Sequence, residues 1–188
     1  MRIFSTWRRR LIALAVIAGV IAAPVVLATP TFGPDRPTFT MNKPATYNTF
    51  NSIVDNPVWG DERYLVKARD VNAGTNTYTN NFQVEDNQEI LVTTFFHNNA
   101  ADNLDKTAKN TKVKIDLPTG SAKTLSLKST ISADNAKPQS VFATMDFTGG
   151  DEFSLEYQPG SAKLITNFVN TSLSDAVVSG GVLVGSKG

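Results

Sequence analysis

The side chains able to do acid–base or metal chemistry are few. The chain has one histidine, His97, and no cysteine. That excludes disulfides, thiolate metal sites and cysteine nucleophiles. His97 stands beside Asn98 and Asn99 at the end of an apolar run. As a general base it would need a hydroxyl nucleophile and an orienting acid brought to it by the fold. No nucleophile-elbow or metalloprotease motif is present. His97 is therefore expected to be a structural or surface residue, with no catalytic residue, cofactor or metal site in the chain. Asp70-Val71-Asn72-Ala73-Gly74 and Asp102-Asn103-Leu104-Asp105 offer oxygen ligands. A calcium loop needs more carboxylates at alternating positions and a late glutamate, so both read as solvated turns. Leu117-Pro118-Thr119-Gly120 also reads as an ordinary turn. An isopeptide bond of Lys67 to Asn167 with Glu156 would require a buried triad, but Lys67 and Glu156 alternate with apolar residues and should face water. Trp59 sits between Asn56-Pro57-Val58 and Gly60. Exposed, it could stack on a glycan. Buried, it would pin the segment before it to the domain, which is the favoured expectation since Trp is highly buried on average.

The elements that must position these groups follow an N-terminal segment of different character. Arg2, Arg8, Arg9 and Arg10 precede an uncharged, almost wholly apolar run, Leu11 to Ala28, that ends in Val26-Leu27-Ala28. This is the order of a secretory signal peptide, with cleavage expected after Ala28. Eighteen residues also approach the ~20 of a membrane-spanning helix, so an uncleaved signal anchor is the alternative. Lys plus Arg number 18 and Asp plus Glu 17. Beyond residue 28 this leaves 14 bases against 17 acids. A mildly acidic body argues against nucleic-acid binding. The membrane would be met only through the N-terminal segment.

Residues 29–60 form a lead-in punctuated by Pro30, Pro34, Pro37, Pro44 and Pro57. Fixed φ and missing donors favour extended chain draped on the domain. Residues 61–188 are dominated by a period of two. Rows such as Val113/Ile115/Leu117, Leu125/Leu127/Ile131, Val141/Ala143/Met145/Phe147 and Phe153/Leu155/Tyr157 alternate with polar residues. Ala162/Leu164/Phe168, Val177-Val178 and Val182-Leu183-Val184 follow, while Glu89 to Phe96 is apolar on both faces, as a central strand would be. Turn chemistry separates the rows at Asn72-Ala73-Gly74, Asp86-Asn87, Pro118-Thr119-Gly120, residues 133–138, Gly149-Gly150, Pro159-Gly160 and Gly180-Gly181. Seven to nine short strands in an antiparallel sandwich are expected. One helix of two to three turns is expected at Ala100 to Lys109, with Asn99 as its cap.

Ile90-Leu91-Val92-Thr93-Thr94-Phe95-Phe96-His97-Asn98-Asn99-Ala100-Ala101, followed by Ala108-Lys109-Asn110-Thr111-Lys112-Val113-Lys114-Ile115-Asp116-Leu117-Pro118, runs strand, Asn-rich turn, strand, Leu-Pro. It resembles the bacterial surface modules called domain of unknown function eleven. Asn56-Pro57-Val58-Trp59-Gly60-Asp61-Glu62-Arg63 resembles a lead-in of exported proteins that carry them. The resemblance implies an immunoglobulin-like β-sandwich on an exported protein and no catalytic residues. The expectation for the whole is a secreted or cell-surface, non-enzymatic, structural or adhesive protein. Its partner would be an unidentified envelope or extracellular protein or glycan. The alternatives are a carbohydrate-binding module, which should show a row of exposed aromatics, and a hydrolase, which should show a pocket joining His97 to a hydroxyl and an acid. The end of the sequence at a strand suggests a fragment of a longer protein.

Overall fold

The computed structural model describes residues 1–7 and 29–185. The signal-peptide cleavage site and the apolar run lie outside the described residues. Among the described residues eleven strands occur: β1 (Arg2–Trp7), β2 (Phe32–Gly33), β3 (Val66–Asp70), β4 (Asn81–Val84), β5 (Glu89–Thr94), β6 (Lys112–Asp116), β7 (Ala122–Ser132), β8 (Ser140–Tyr157), β9 (Lys163–Ile165), β10 (Asn170–Ser172) and β11 (Val182–Leu183). Helical structure among the described residues is confined to two 3-10 turns, Asp102–Leu104 and Asp175–Val178. The described residues are all-β.

One nine-stranded sheet runs β11-β6-β7-β8-β1-β5-β3, with β2 and β4 also paired to β8; β9 and β10 form a separate hairpin. Every pairing is antiparallel except β4 with β8. The sheet turns over on itself. Thr94 of β5 and Ser129 of β7 share a hydroxyl–hydroxyl hydrogen bond of 2.9 Å, although two strands separate them in the ladder. Side chains from both layers meet in one core, with Ile90, Leu127, Ile131, Met145, Phe147 and Phe153 wholly out of water.

The alternation predicts this core well. Val113, Ile115, Leu125, Leu127, Phe153 and Leu155 are all buried. The turns also fall where expected, with Gly74, Gly120, Gly160 and Gly181 in the left-handed region that glycine adopts without a Cβ clash.

The signal or anchor helix expected over Leu11 to Ala28 lies outside the described residues, but residues 2–7 of the basic stretch before it form β1, inside the sheet. Four other expectations are corrected. Gly149-Gly150 does not end a strand, because β8 continues through it for 18 residues. A Cβ at position 149 would lie 2.8 Å from the Phe153 ring, so glycine lets that ring fold onto the backbone. No α-helix occupies 100–109. Only the Asp102–Leu104 turn forms, Asp105 has left-handed φ, and Leu104 is exposed, so no apolar stripe is buried that would hold a helix. Val177-Val178 lies in a 3-10 turn rather than a strand, with Ser174 capping it through Ala176 N. Phe168 does not point inward; it is 95% exposed in the loop between β9 and β10.

Candidate functional site

Residues 39–64 carry little regular structure and are fastened by side chains. Asn56 makes a tight turn: its amide and carbonyl pair with Gly60, and its Oδ1 accepts from Val58 N and Trp59 N. Gly60 takes φ of 83°, which the turn requires. The turn delivers Trp59 onto the start of the sheet. Its ring stacks on Phe95 with centroids 4.9 Å apart, and its indole N–H donates to the Tyr64 carbonyl at 3.0 Å. The Lys67 ammonium lies 4.4 Å from the indole centroid and donates to the Trp59 carbonyl. Burial holds the Lys67 pKa below its ordinary value. Trp59 is thus half-buried and joins the lead-in to β3 and to Phe95 just beyond β5.

The same turn leads to Glu62, whose side chain is wholly buried. Its Oε1 accepts from Asn56 Nδ2 at 2.6 Å and from His97 Nδ1 at 2.9 Å, and its Oε2 accepts from Asn99 Nδ2 at 2.8 Å. A buried carboxylate is tolerable only when so bonded. Asn99 Oδ1 accepts in turn from Ser52 N at 2.5 Å. Asn51, in left-handed conformation, bridges the Glu62 and Phe95 carbonyls through Nδ2 and accepts from His97 N through Oδ1. Arg36 closes the outer side, donating to the Asn51 and Pro34 carbonyls and to Ser52 Oγ. Burial, helped by the nearby Arg63 charge, lowers the Arg36 pKa to about 10.

His97 is therefore joined to an acid. The Glu62 hydrogen bond raises its pKa, outweighing burial, and assigns the Nδ1 proton to the carboxylate side. The geometry matches the acid–imidazole half of a hydrolytic triad. Among the described residues, however, no Ser or Thr hydroxyl hydrogen-bonds the ring, and neither His97 nor Glu62 lines the cleft beside β5 and β6 or the one at residues 117–121. What the dyad touches is the lead-in.

His97 lies three residues beyond the end of β5, and Trp59 sits at the lead-in junction, half-buried and not enclosed. Sequence reasoning missed Glu62, Asn51, Asn56 and Arg36, and the role of Asn99. Asn99 was expected to cap a helix; instead its amide is buried against Glu62. Only the turn signal around Trp59 pointed to this joint. Lys67, Glu156 and Asn167 form no triad: Lys67 bonds Trp59, Glu156 lies opposite Phe4, and both Glu156 and Asn167 are exposed. Among the described residues, no three metal-ligating side chains converge.

A second feature is a cleft of about 460 Å³ between the layers. Leu91 and Phe96 on the β5 side, Val113 and Ile115 of β6, and Leu164 and Leu173 around the β9–β10 hairpin line it. Its size falls in the usual ligand range, and its walls are mostly apolar. Met1 and Arg2 stand at its edge. Comparison with family models, curated proteins and solved structures returns no match.

Proposed function

We propose that the chain is an exported, non-enzymatic surface or secreted module with an immunoglobulin-like sandwich and a structural or adhesive role. The observation that carries this is the Glu62–His97–Asn99 joint. The one imidazole and its carboxylate are bonded to the lead-in, tying residues 51–62 to the end of β5. An orienting acid of that kind rigidifies a junction between a draped N-terminal segment and a sandwich.

Export is supported by the basic residues before Leu11–Ala28 and the small-residue ending of that run. Adhesion is supported by the β9–β10 hairpin, which presents Ile165, Phe168 and Val169 to solvent at 70%, 95% and 42% exposure. Exposed apolar side chains gathered on one short hairpin are the kind of surface that interaction sites use. The partner would be an envelope or extracellular protein or glycan.

Two measurements test the reading. N-terminal sequencing of protein recovered from the medium should begin at Thr29; a soluble chain that retains Met1 overturns export. His97→Ala, compared at matched stability, should retain partner or envelope binding. Loss of a hydrolytic activity in that variant would put an enzyme in place of the module.

A further inference from the structure

The position of β1 bears on any exported form of the chain. Asn81–Val84 of β4 runs parallel to β8, paired with Asp146–Gly149. After the turn at residues 85–88, β5 continues in the same direction but no longer touches β8. β1 fills the opening, antiparallel to both: Arg2, Ile3 and Phe4 pair with Leu91, Ile90 and Glu89, and Ile3 to Trp7 pair with Tyr157 to Phe153. The sheet is split over this stretch by the width of one strand, about 4.8 Å beyond normal spacing.

The opening has chemical requirements. Ile3 is wholly buried in the core. Ser5 is also wholly buried; its hydroxyl donates to the Glu85 carbonyl and accepts from Gln88 N. Met1 exchanges backbone hydrogen bonds with Val92, and the Arg2 carbonyl accepts from Gln158 N. A strand bonded along both edges cannot contain proline.

Export by either route removes this strand from the domain. Cleavage after Ala28 discards it, and an anchor with its basic end in the cytoplasm holds it across the membrane from the sheet. Resting on the export reading, we infer that the β5/β8 opening is a strand-acceptor site. It takes an extended segment of a separate exported polypeptide, carrying an aliphatic residue, then a serine or threonine two positions on, and no proline. β1 itself displays the chemistry of that occupant. A second copy cannot supply its own β1, because export removes it in the same way. Recognition is by strand addition: main-chain bonds provide affinity, and the Ile3 and Ser5 positions provide specificity. Since Met1 and Arg2 also edge the apolar cleft, the vacated site and the cleft form one groove.

The full chain provides the test. A specific protease site is placed after Arg10, and the folded protein is cut there, so that the Met1–Arg10 fragment is held only by the sheet. A labelled synthetic Met1–Arg10 peptide is then added in excess. It should exchange into the site at one per chain. The same peptide with Ile3→Asp should bind at least ~30-fold more weakly, since a buried unpaired charge costs more than the corresponding ~2 kcal/mol. The inference is overturned if the cut protein stays folded and takes up no peptide, the result expected if β5 closes onto β8. It is equally overturned if both peptides bind alike, or if the cut protein forms a stoichiometric dimer that refuses peptide. Should the cut protein unfold, excess wild-type peptide must restore its circular dichroism, and failure to do so counts against the site. None of these results bears on export, which the N-terminus of the secreted protein decides separately.

Discussion

Replacing Glu62 by alanine should be among the most destabilising single changes in the protein, and replacing His97 by glutamine among the mildest at this joint. The asymmetry follows from burial. Glu62 is wholly enclosed, whereas 38% of the His97 side chain remains accessible. Truncating Glu62 strands the Asn56 and Asn99 amides and the His97 Nδ1 proton, which now point at its carboxylate. Hydrogen bonds to a charged group contribute about 1.5–3 kcal/mol each, and removing one partner of a buried charged network costs about 3–5 kcal/mol. A loss of about 3–5 kcal/mol is expected for Glu62→Ala. His97→Gln keeps a donor near Oε1 in a position that water screens, and should cost less than about 1 kcal/mol.

The pH dependence has a defined sign. The His97 pKa is raised in the folded protein, chiefly by the Glu62 hydrogen bond. Its contribution is complete below the unfolded value of about 6.5 and is lost as pH rises through the folded value. Stability should therefore decline across that window on going to higher pH, and His97→Gln should abolish that part of the decline. Equilibrium urea unfolding at a series of pH values measures both effects. A Glu62→Ala protein within 1 kcal/mol of wild type, or a slope unchanged in His97→Gln, would refute the reasoning.

Three further outcomes are expected. Ile115→Asp, at a buried β6 position, should unfold the domain, whereas Lys114→Asp next to it loses only an exposed pair with Asp116 and should cost under about 1 kcal/mol; equal thermal shifts would contradict the alternation. Trp59→Ala should cost about 2–3 kcal/mol, below the full-burial figure because the ring is half-exposed, and should leave retention on polysaccharide columns unchanged. Loss of retention without loss of stability would instead make Trp59 a glycan platform. Gly149→Ala should destabilise by about 1–3 kcal/mol through the Phe153 ring, while Gly150→Ala, which meets open space, should stay within about 0.5 kcal/mol in the same melting assay.

Strand content, core and turns were legible in the sequence because they are local. Period-two alternation declares which side chain faces in, so Leu125, Leu127, Phe153 and Leu155 could be named as core before any fold was known. Left-handed turns declare themselves by glycine and asparagine, as at Gly74, Asn87 and Gly160. What tertiary structure decided is non-local. The basic segment around Ile3 reads as the front of an export signal, yet it has the extended form that the gap between β5 and β8 accepts, and that gap is made by residues more than 80 positions away. Gly149-Gly150 carries turn composition, but here it makes an irregularity inside β8 and not its end: the ladder to β7 shifts register after Thr148, and at Phe153 pairing to β7 resumes and pairing to β1 begins. Glu62 has no periodic signature at all. A buried carboxylate is stable only where separate loops bring donors to it, and Asn56, His97 and Asn99 converge there only after the lead-in has folded against the end of β5.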